Sequence, residues 1–399
     1  MSVSAHVLRC EPSSISFSAD DELPNFDDEV TRASLTAAAH QIKSAQAIGF
    51  PTETVYGLGA LALDASAAAR IFSTKGRPAD NPLIVHVSSQ RMLRSLLPPT
   101  YAPSRSYEVL MKRFWPGALT LLFPSDPSTV PQIVTANHPT VAIRMPSHPV
   151  ARALIALVDA PIAAPSANSS GKPSPTRAEH VFKDLGSKLS LILDGGSCTV
   201  GLESTVVDGL NEDGNIRVLR PGGVTVEDIE GALREEIGEG SKVPRVLVHK
   251  RDFQDAAMEA TPTTPGMKYR HYSPSVPVTL LYTSTSPPPG TASTTLSDLF
   301  ASLKTTHAQR PVKVGLLVPS DSRILLQTDE VSGLEFTVFY LGAVSDPAVT
   351  AHRLFDGLLT LEERGSDIIL VEAILEEKEG LAVMNRVKKA ASESQWINF

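Results

Sequence analysis

Between residues 33 and 237 short apolar runs alternate with segments whose apolar positions recur every three or four residues, the rhythm of strands separated by amphipathic helices. The runs predict strands over 47–50, 83–87, 118–123, 140–144, 161–164 and 191–193. Two further runs, 204–208 and 215–219, flank Asn211-Glu212-Asp213-Gly214 and predict a hairpin. Asp64 is placed to cap a helix that buries Ala68, Ile71 and Phe72 and stops before Pro78. Thr225 with Asp228 is a capping-box signature ahead of Ile229, Leu233 and Ile237. This alternation is that of an α/β or α+β domain.

After residue 242 the periodicity fades and prolines fall at 244, 262, 265, 274 and 277, a linker with some extended structure. Beyond it, strands expected over 278–282, 312–318, 336–341 and 367–371 alternate with helical stretches such as the one that opens at Asp346-Pro347 and runs to Arg364. That order predicts a second, parallel, Rossmann-like sheet. The Ser-, Thr- and Pro-rich stretch 283–295 is expected to be a disordered loop within it. The chain thus divides into a flexible acidic N-terminal arm (1–30), a main α/β domain (31–242), a linker (243–276) and a smaller C-terminal Rossmann-like α/β domain (277–399).

A length of 399 residues favours two or three domains, and 42% apolar with 20% charged residues suits a folded chain. The net charge of −8 argues against permanent coating of nucleic acid or anionic lipid, leaving room for a local basic pocket. Cys10 and Cys198 are too few for a disulfide framework or a cysteine zinc site, which favours a reducing compartment. No apolar run reaches the roughly 18 to 20 residues that span a bilayer, so no membrane association is expected. Asp20, Asp21, Glu22, Asp27, Asp28 and Glu29 have the wrong sign for a transit peptide. A cytoplasmic location is expected, with a mitochondrial pool left open. No histidine pair or carboxylate-rich loop offers a metal cage, so any metal is expected to arrive with a substrate.

Candidate chemistry sits at strand ends. Pro51-Thr52-Glu53-Thr54-Val55-Tyr56-Gly57-Leu58-Gly59 follows a strand, and its glycines serve either a tight turn or close ligand approach. A nominal dinucleotide fingerprint, Gly57-x-Gly59-x-x-Ala62, is set aside because no helix starts there. Lys75-Gly76-Arg77-Pro78 with Asn81 suits a phosphate clamp, against the plainer reading of a helix-end dipole complement. His86, alone on an apolar strand, reads first as a core histidine. Alternation places Thr140, Ala142 and Arg144 on one face, where Arg144 needs an anion, either a ligand or a structural carboxylate. Ser166 lacks the surroundings of a triad nucleophile and is better suited to donate to a phosphate or carboxylate.

Taken in order, these segments, with Asn81-Pro82-Leu83, Trp115-Pro116-Gly117, Ala142-Ile143-Arg144-Met145-Pro146, Pro165-Ser166-Ala167-Asn168, Glu203-Ser204-Thr205 and Leu219-Arg220-Pro221-Gly222, resemble the YrdC-like family. The run 265–272 and the closing Met384-Asn385-Arg386 look like its two-domain form, the threonylcarbamoyl-AMP synthases. The resemblance implies a twisted, open mixed sheet with a concave substrate cavity in 31–242. It implies a nucleotidyltransferase that turns L-threonine, bicarbonate or CO2, and ATP into threonylcarbamoyl-AMP and pyrophosphate. A separate tRNA threonylcarbamoyl transferase would take the product to the tRNA adenosine beside the anticodon, and a weak tRNA contact is compatible with this. By similarity, Thr52, His86, Arg144, Ala164 and Ser204 contact threonine, while Arg77, Asn81, Thr140, Ser166, Ser174, Arg220 and Tyr272 contact ATP. Lys75, Arg77, Ser166 and Asn168 form the polar catalytic cluster, and Mg2+ rides on the ATP phosphates. If Tyr272 reaches ATP, 265–272 acts as a lid that keeps water from labile intermediates. The competing readings are a tRNA- or double-stranded-RNA-binding module without catalysis and a carbamoyl transferase of hydrogenase maturation.

Overall fold

The alternation between residues 33 and 237 is realised as a single mixed sheet. In the computed structural model residues 4–18, 22–238, 242–255, 271–306, 310–328 and 331–399 are described, and they fall into two compact units, 1–170 with 174–269, and 171–173 with 270–399. Strands of the first unit are β1 (His6–Arg9), β2 (Ile15–Phe17), β3 (Pro24–Phe26), β4 (Ile48–Phe50), β5 (Gly57–Leu61), β6 (Ile84–His86) and β7 (Leu119–Pro124). They continue with β8 (Thr140–Arg144), β9 (Ile162–Ala163), β10 (Leu191–Asp194), β11 (Thr205–Asp208), β12 (Ile216–Arg220) and β13 (Val246–Val248). Eleven of them form one sheet in the order β1-β10-β4-β5-β9-β6-β8-β7-β11-β12-β13, with parallel and antiparallel neighbours mixed, and β2 and β3 form a separate pair.

Helix ends follow the expected chemistry. Asp64 accepts from the backbone of Ser66 and Ala67 at the start of the helix Ala65–Lys75, and Gly76 ends it in the left-handed region, φ 62°, which glycine adopts without steric cost. Thr225 and Asp228 complete a reciprocal capping box on the helix Val226–Ile237. The expected hairpin is β11 and β12, paired antiparallel.

The second unit holds β14 (Val278–Tyr282), β15 (Ser293–Thr295), β16 (Val312–Val318), β17 (Leu334–Tyr340), β18 (Ile368–Glu372) and β19 (Glu393–Asn398). They pair in parallel throughout, in the order β15-β19-β14-β18-β16-β17. Leu281, Leu299, Phe300, Val314, Leu316 and Leu370 pack in its core. Among the described residues no helix is long and apolar enough to cross a membrane.

Several expectations need correction. Residues 1–30 are not simply a flexible arm: β1 adds to the sheet beside β10, and Thr31 and Ser34 tie down the backbone of Glu11 and Arg9. The acidic composition hid this strand because edge pairing depends on a tertiary neighbour that local pattern does not reveal. The stretch 243–276 is not all linker, since β13 pairs with β12 in the first sheet, and the stretch 283–295 ends in β15. The expected lid residues 265–270 lie outside the described residues.

Gly57 and Gly59 belong to β5 itself. Their role is close packing: a Cβ at Gly59 would meet the Phe50 ring at 2.6 Å and Ile162 at 2.9 Å. Gly59→Ala is therefore expected to cost about 1–3 kcal/mol by overpacking. Urea denaturation should show this loss, and Phe50→Leu should relieve it in the double variant.

Candidate active site

The register of the first sheet lines up the site. His86 on β6 lies opposite Arg144 on β8, Arg144 opposite Thr120 on β7, Thr120 beside Val206 on β11, and Val206 opposite Arg220 on β12. Directly opposed residues share a face, so three of the expected side chains emerge along one row. Ile84, Ala142 and Leu122 form the neighbouring row and pack with Val206 and Leu219 as an apolar floor. The small Ala142 side chain leaves space beside Arg144, as the alternation implies.

Backbone hydrogen bonds between loops position the remaining residues. The loop after β4 is laced on one side by Tyr56 N to Pro175 O and Ala167 N to Tyr56 O, both 2.8 Å. On the other side Val200 N donates to Glu53 O at 2.7 Å and Gly201 N to Thr54 O at 3.1 Å. The segments carrying Thr52, Ser166, Ser174 and Ser204 are thereby fixed to one another. Ala164 N donates to Ile84 O at 3.0 Å, next to the His86 strand end.

Lys75, Arg77, Arg144 and Arg220 are all buried, and each donates to protein oxygens. Arg144 donates through Nη2 to Glu53 Oε1, through Nη1 to Thr54 Oγ1 at 2.8 Å, and through Nε to Gly117 O at 3.1 Å. Thr52 spends its hydroxyl proton on Val55 O at 2.7 Å, so in its 2.8 Å contact with Thr54 the latter is the donor. The relay runs in one direction from Arg144 through Thr54 and Thr52 to Val55. Lys75 Nζ donates to the carbonyls of Ser166 and Asn168, two of its three donors. Arg77 holds Asn81 O at 3.1 Å and Pro82 O at 2.8 Å. Arg220 holds Ser204 O through Nε and Nη2 and reaches Ser204 Oγ at 3.2 Å, while Ser204 and Thr120 share a 2.7 Å hydroxyl contact. Ser174 donates to Glu203 Oε1 at 2.6 Å.

Burial also sets protonation. Burial and the neighbouring Arg77 push the Lys75 ammonium well below its usual range, with Asp184 and Glu203 opposing. Burial and the Arg144 charge lower the His86 pKa from 6.5 to about 3, so the imidazole is neutral at physiological pH, with Nδ1 3.1 Å from Ile84 O. Both cysteines are free and buried, and burial raises Cys10 to about 12. Cys198 lies within electrostatic reach of Glu53 and Arg144.

Buried side-chain oxygens of this region that have no hydrogen-bond partner among the described residues include Glu53 Oε2, Asn81 Oδ1 and Thr140 Oγ1. Buried polar atoms are normally satisfied, and these three are the points at which a ligand can complete the site. No group of three or more His, Cys, Asp or Glu able to hold a metal stands together among the described residues.

The expected threonine and ATP residues of the first unit therefore share strand ends and loops of one sheet. Tyr272 belongs to the second unit, where its ring is buried, stacks on His271 at 4.3 Å between centroids and lies 5.3 Å from Phe355. For Arg144 the sequence left open a ligand anion or a structural carboxylate from a nearby strand, and the structure supplies a carboxylate. It is Glu53, from the loop after β4, whose signal was an acid between two threonines beside an otherwise apolar stretch. Thr54, Thr120 and Glu203 were likewise not singled out.

Fold and site define an α/β protein that gathers buried basic side chains at strand and helix ends of one unit. Residues 40–222 match the family model described as telomere recombination (Sua5/YciO/YrdC), and residues 224–392 match that of the threonylcarbamoyl-AMP synthase C-terminal domain. Threonylcarbamoyl-AMP synthase of Schizosaccharomyces pombe is 42% identical over 91% of this chain and 89% of its own length. That of Bacillus subtilis is 39% identical over 93% and 95%. The crystal structure of Pyrococcus abyssi Sua5 complexed with L-threonine superposes with a TM-score of 0.75 at 36% identity, covering 99% of this chain and 100% of the other. The chain belongs to the threonylcarbamoyl-AMP synthase family, enzymes of the nucleotidyltransferase type, in its two-domain form.

His86 supplies a test of the burial argument. Its folded pKa lies below the unfolded value, so between about pH 3 and 6.5 the unfolded chain binds the extra proton and stability falls as pH falls. His86→Gln is expected to remove up to one proton's slope, about 1.4 kcal/mol per pH unit, from the stability curve between these limits. Denaturant titrations of both proteins across that window measure the difference.

Proposed function

We propose that this chain condenses L-threonine, bicarbonate or CO2, and ATP into threonylcarbamoyl-AMP and pyrophosphate, the first step of tRNA threonylcarbamoyladenosine formation. The observation that carries this reading is the set of four buried basic side chains, Arg144 and Arg220 on strands of the first sheet and Lys75 and Arg77 at the end of the helix Ala65–Lys75 and in the loop after it, accompanied by the unsatisfied acceptors Asn81 Oδ1 and Thr140 Oγ1. A relative solved with L-threonine supports the amino-acid substrate.

The roles follow from chemistry. Arg144, preorganised by Glu53 and Thr54, takes the threonine carboxylate, with Ala142 giving clearance and Thr52, Ala164 and Ser204 completing that end. The amine of threonine must be neutral to capture CO2, and the carbamate oxygen then attacks the α-phosphorus while pyrophosphate leaves. Charge builds on the phosphoryl oxygens, where Lys75, Arg77 and Arg220 stabilise it without a protein nucleophile. Ser166, Asn168 and Ser174 place donors around the phosphates, and Asn81 and Thr140 bind the nucleotide. His86, neutral with a pKa of about 3, offers a hydrogen bond to substrate and is a poor proton acceptor at neutral pH. Mg2+ enters on the ATP phosphates. The assignment of Tyr272 to ATP rests on sequence similarity and is tested by the ATP affinity of Tyr272→Ala. The product passes to a separate tRNA threonylcarbamoyl transferase.

Membership of an enzyme family disfavours the RNA-binding alternative, and the match of the C-terminal residues to the synthase domain disfavours the hydrogenase-maturation one. With 13C-bicarbonate, mass spectrometry should find the label in threonylcarbamoyl-AMP, and pyrophosphate release should require threonine and bicarbonate together. Pyrophosphate release independent of threonine would contradict the reading. Asn81→Ala is expected to raise the KM for ATP at least about tenfold, the cost of one hydrogen bond of about 1.4 kcal/mol, with the KM for threonine little changed.

A further inference from the structure

An edge strand leaves a row of backbone groups unpaired, and β17 runs seven residues along the edge of the second sheet with β16 as its one strand neighbour among the described residues. Its sequence, Leu-Glu-Phe-Thr-Val-Phe-Tyr, has no proline or lysine, and its register with β16 is continuous, so the charge of Glu335 is the one usual protection against strand pairing that the strand itself carries. Phe336, Val338 and Phe339 are only half-buried, and Tyr340 is 47% exposed. Beside the strand lies a groove of about 660 Å3 lined by Pro311, Val331, Leu334, Phe336 and Val338.

The hydrogen-bond pattern shows which backbone groups are open. Val312 N donates to Gly333 O, and Leu341 N donates to Val318 O, so odd-numbered residues of β17 turn their backbone inward to β16. Leu334, Phe336, Val338 and Tyr340 consequently present their N–H and C=O outward. An antiparallel copy of the same strand related by a two-fold axis at Thr337 sets Leu334 opposite Tyr340 and Phe336 opposite Val338, each a reciprocally hydrogen-bonded pair. This register uses the whole strand and joins apolar side chains to apolar side chains.

The same register sets Glu335 of one copy opposite Phe339 of the other. Arg353 lies over the Phe339 ring at 5.0 Å, and its Nε is buried without a hydrogen-bond partner among the described residues. Glu335 is exposed and is the only charged residue of β17. Its carboxylate would arrive beside the incomplete Arg353 of the second copy, twice by symmetry.

We propose that β17 is a self-association edge, and that two copies of this chain pair antiparallel through it about Thr337, with Glu335 of each copy neutralising Arg353 of the other. The partner is thus a second copy of this chain, and the two sheets become one continuous sheet.

Sedimentation equilibrium of the full chain over a range of concentrations is the test. The wild type should dimerise. Val338→Pro removes an outward N–H at a position where an edge strand tolerates proline, and should give a folded monomer with unchanged pyrophosphate release. Glu335→Arg should weaken the dimer at least about tenfold through like charge, and adding Arg353→Glu should restore it. A wild type that stays monomeric at every concentration overturns the proposal, as does a dimer indifferent to both Val338→Pro and Glu335→Arg. If Val338→Pro fails to fold, the loss with Glu335→Arg and its rescue by Arg353→Glu decide the question alone.

Discussion

Four buried basic side chains, Arg144 and Arg220 on the first sheet and Lys75 and Arg77 at a helix end beside it, are the constraint around which the first unit is organised. A buried cation without compensation costs several kcal/mol, so each must be paired before any substrate arrives. Arg144 holds the carboxylate of Glu53, and Lys75, Arg77 and Arg220 donate to backbone carbonyls that include those of Asn168, Pro82 and Ser204. The donors are thus fixed, by groups the loops already carry, before a substrate arrives.

That economy explains why loops are laced so closely. The carbonyls of Ser166 and Asn168 can hold Lys75 only if the segment carrying them is fixed, and Ala167 N to Tyr56 O fixes it to the loop bearing Glu53 and Thr54. The same loop holds Arg144. Lys75 and Arg144, to which the proposed function gives phosphate and carboxylate, are thus mechanically linked through one nine-residue motif, and packing of Phe50 against Gly57 and Gly59 seats that motif on the sheet. His86 pays the electrostatic cost of a neighbouring arginine by remaining uncharged.

Much of this was legible in the sequence where local chemistry decides structure. Asp64, Gly76, Thr225 and Asp228 mark helix ends by their own hydrogen-bonding preferences, and the alternation of Thr140, Ala142 and Arg144 named the face that the register confirms. Features that depend on a distant partner were not legible. β1 and β13 are short strands defined by β10 and β12, and the role of Gly59 depends on a ring nine residues away and on Ile162. The carboxylate for Arg144 could be foreseen as a requirement of charge, but its identity as Glu53 needed the fold of the loop.

The claim at the centre of this account is that one cavity of the first unit holds both substrates against a shared set of cations. A crystal structure with L-threonine and a non-hydrolysable ATP analogue tests it most directly. The account predicts the threonine carboxylate on Arg144 and the α-phosphate within hydrogen-bond reach of Lys75, Arg77 or Arg220 in one continuous space. Threonine and nucleotide found in separate, unconnected spaces would contradict it.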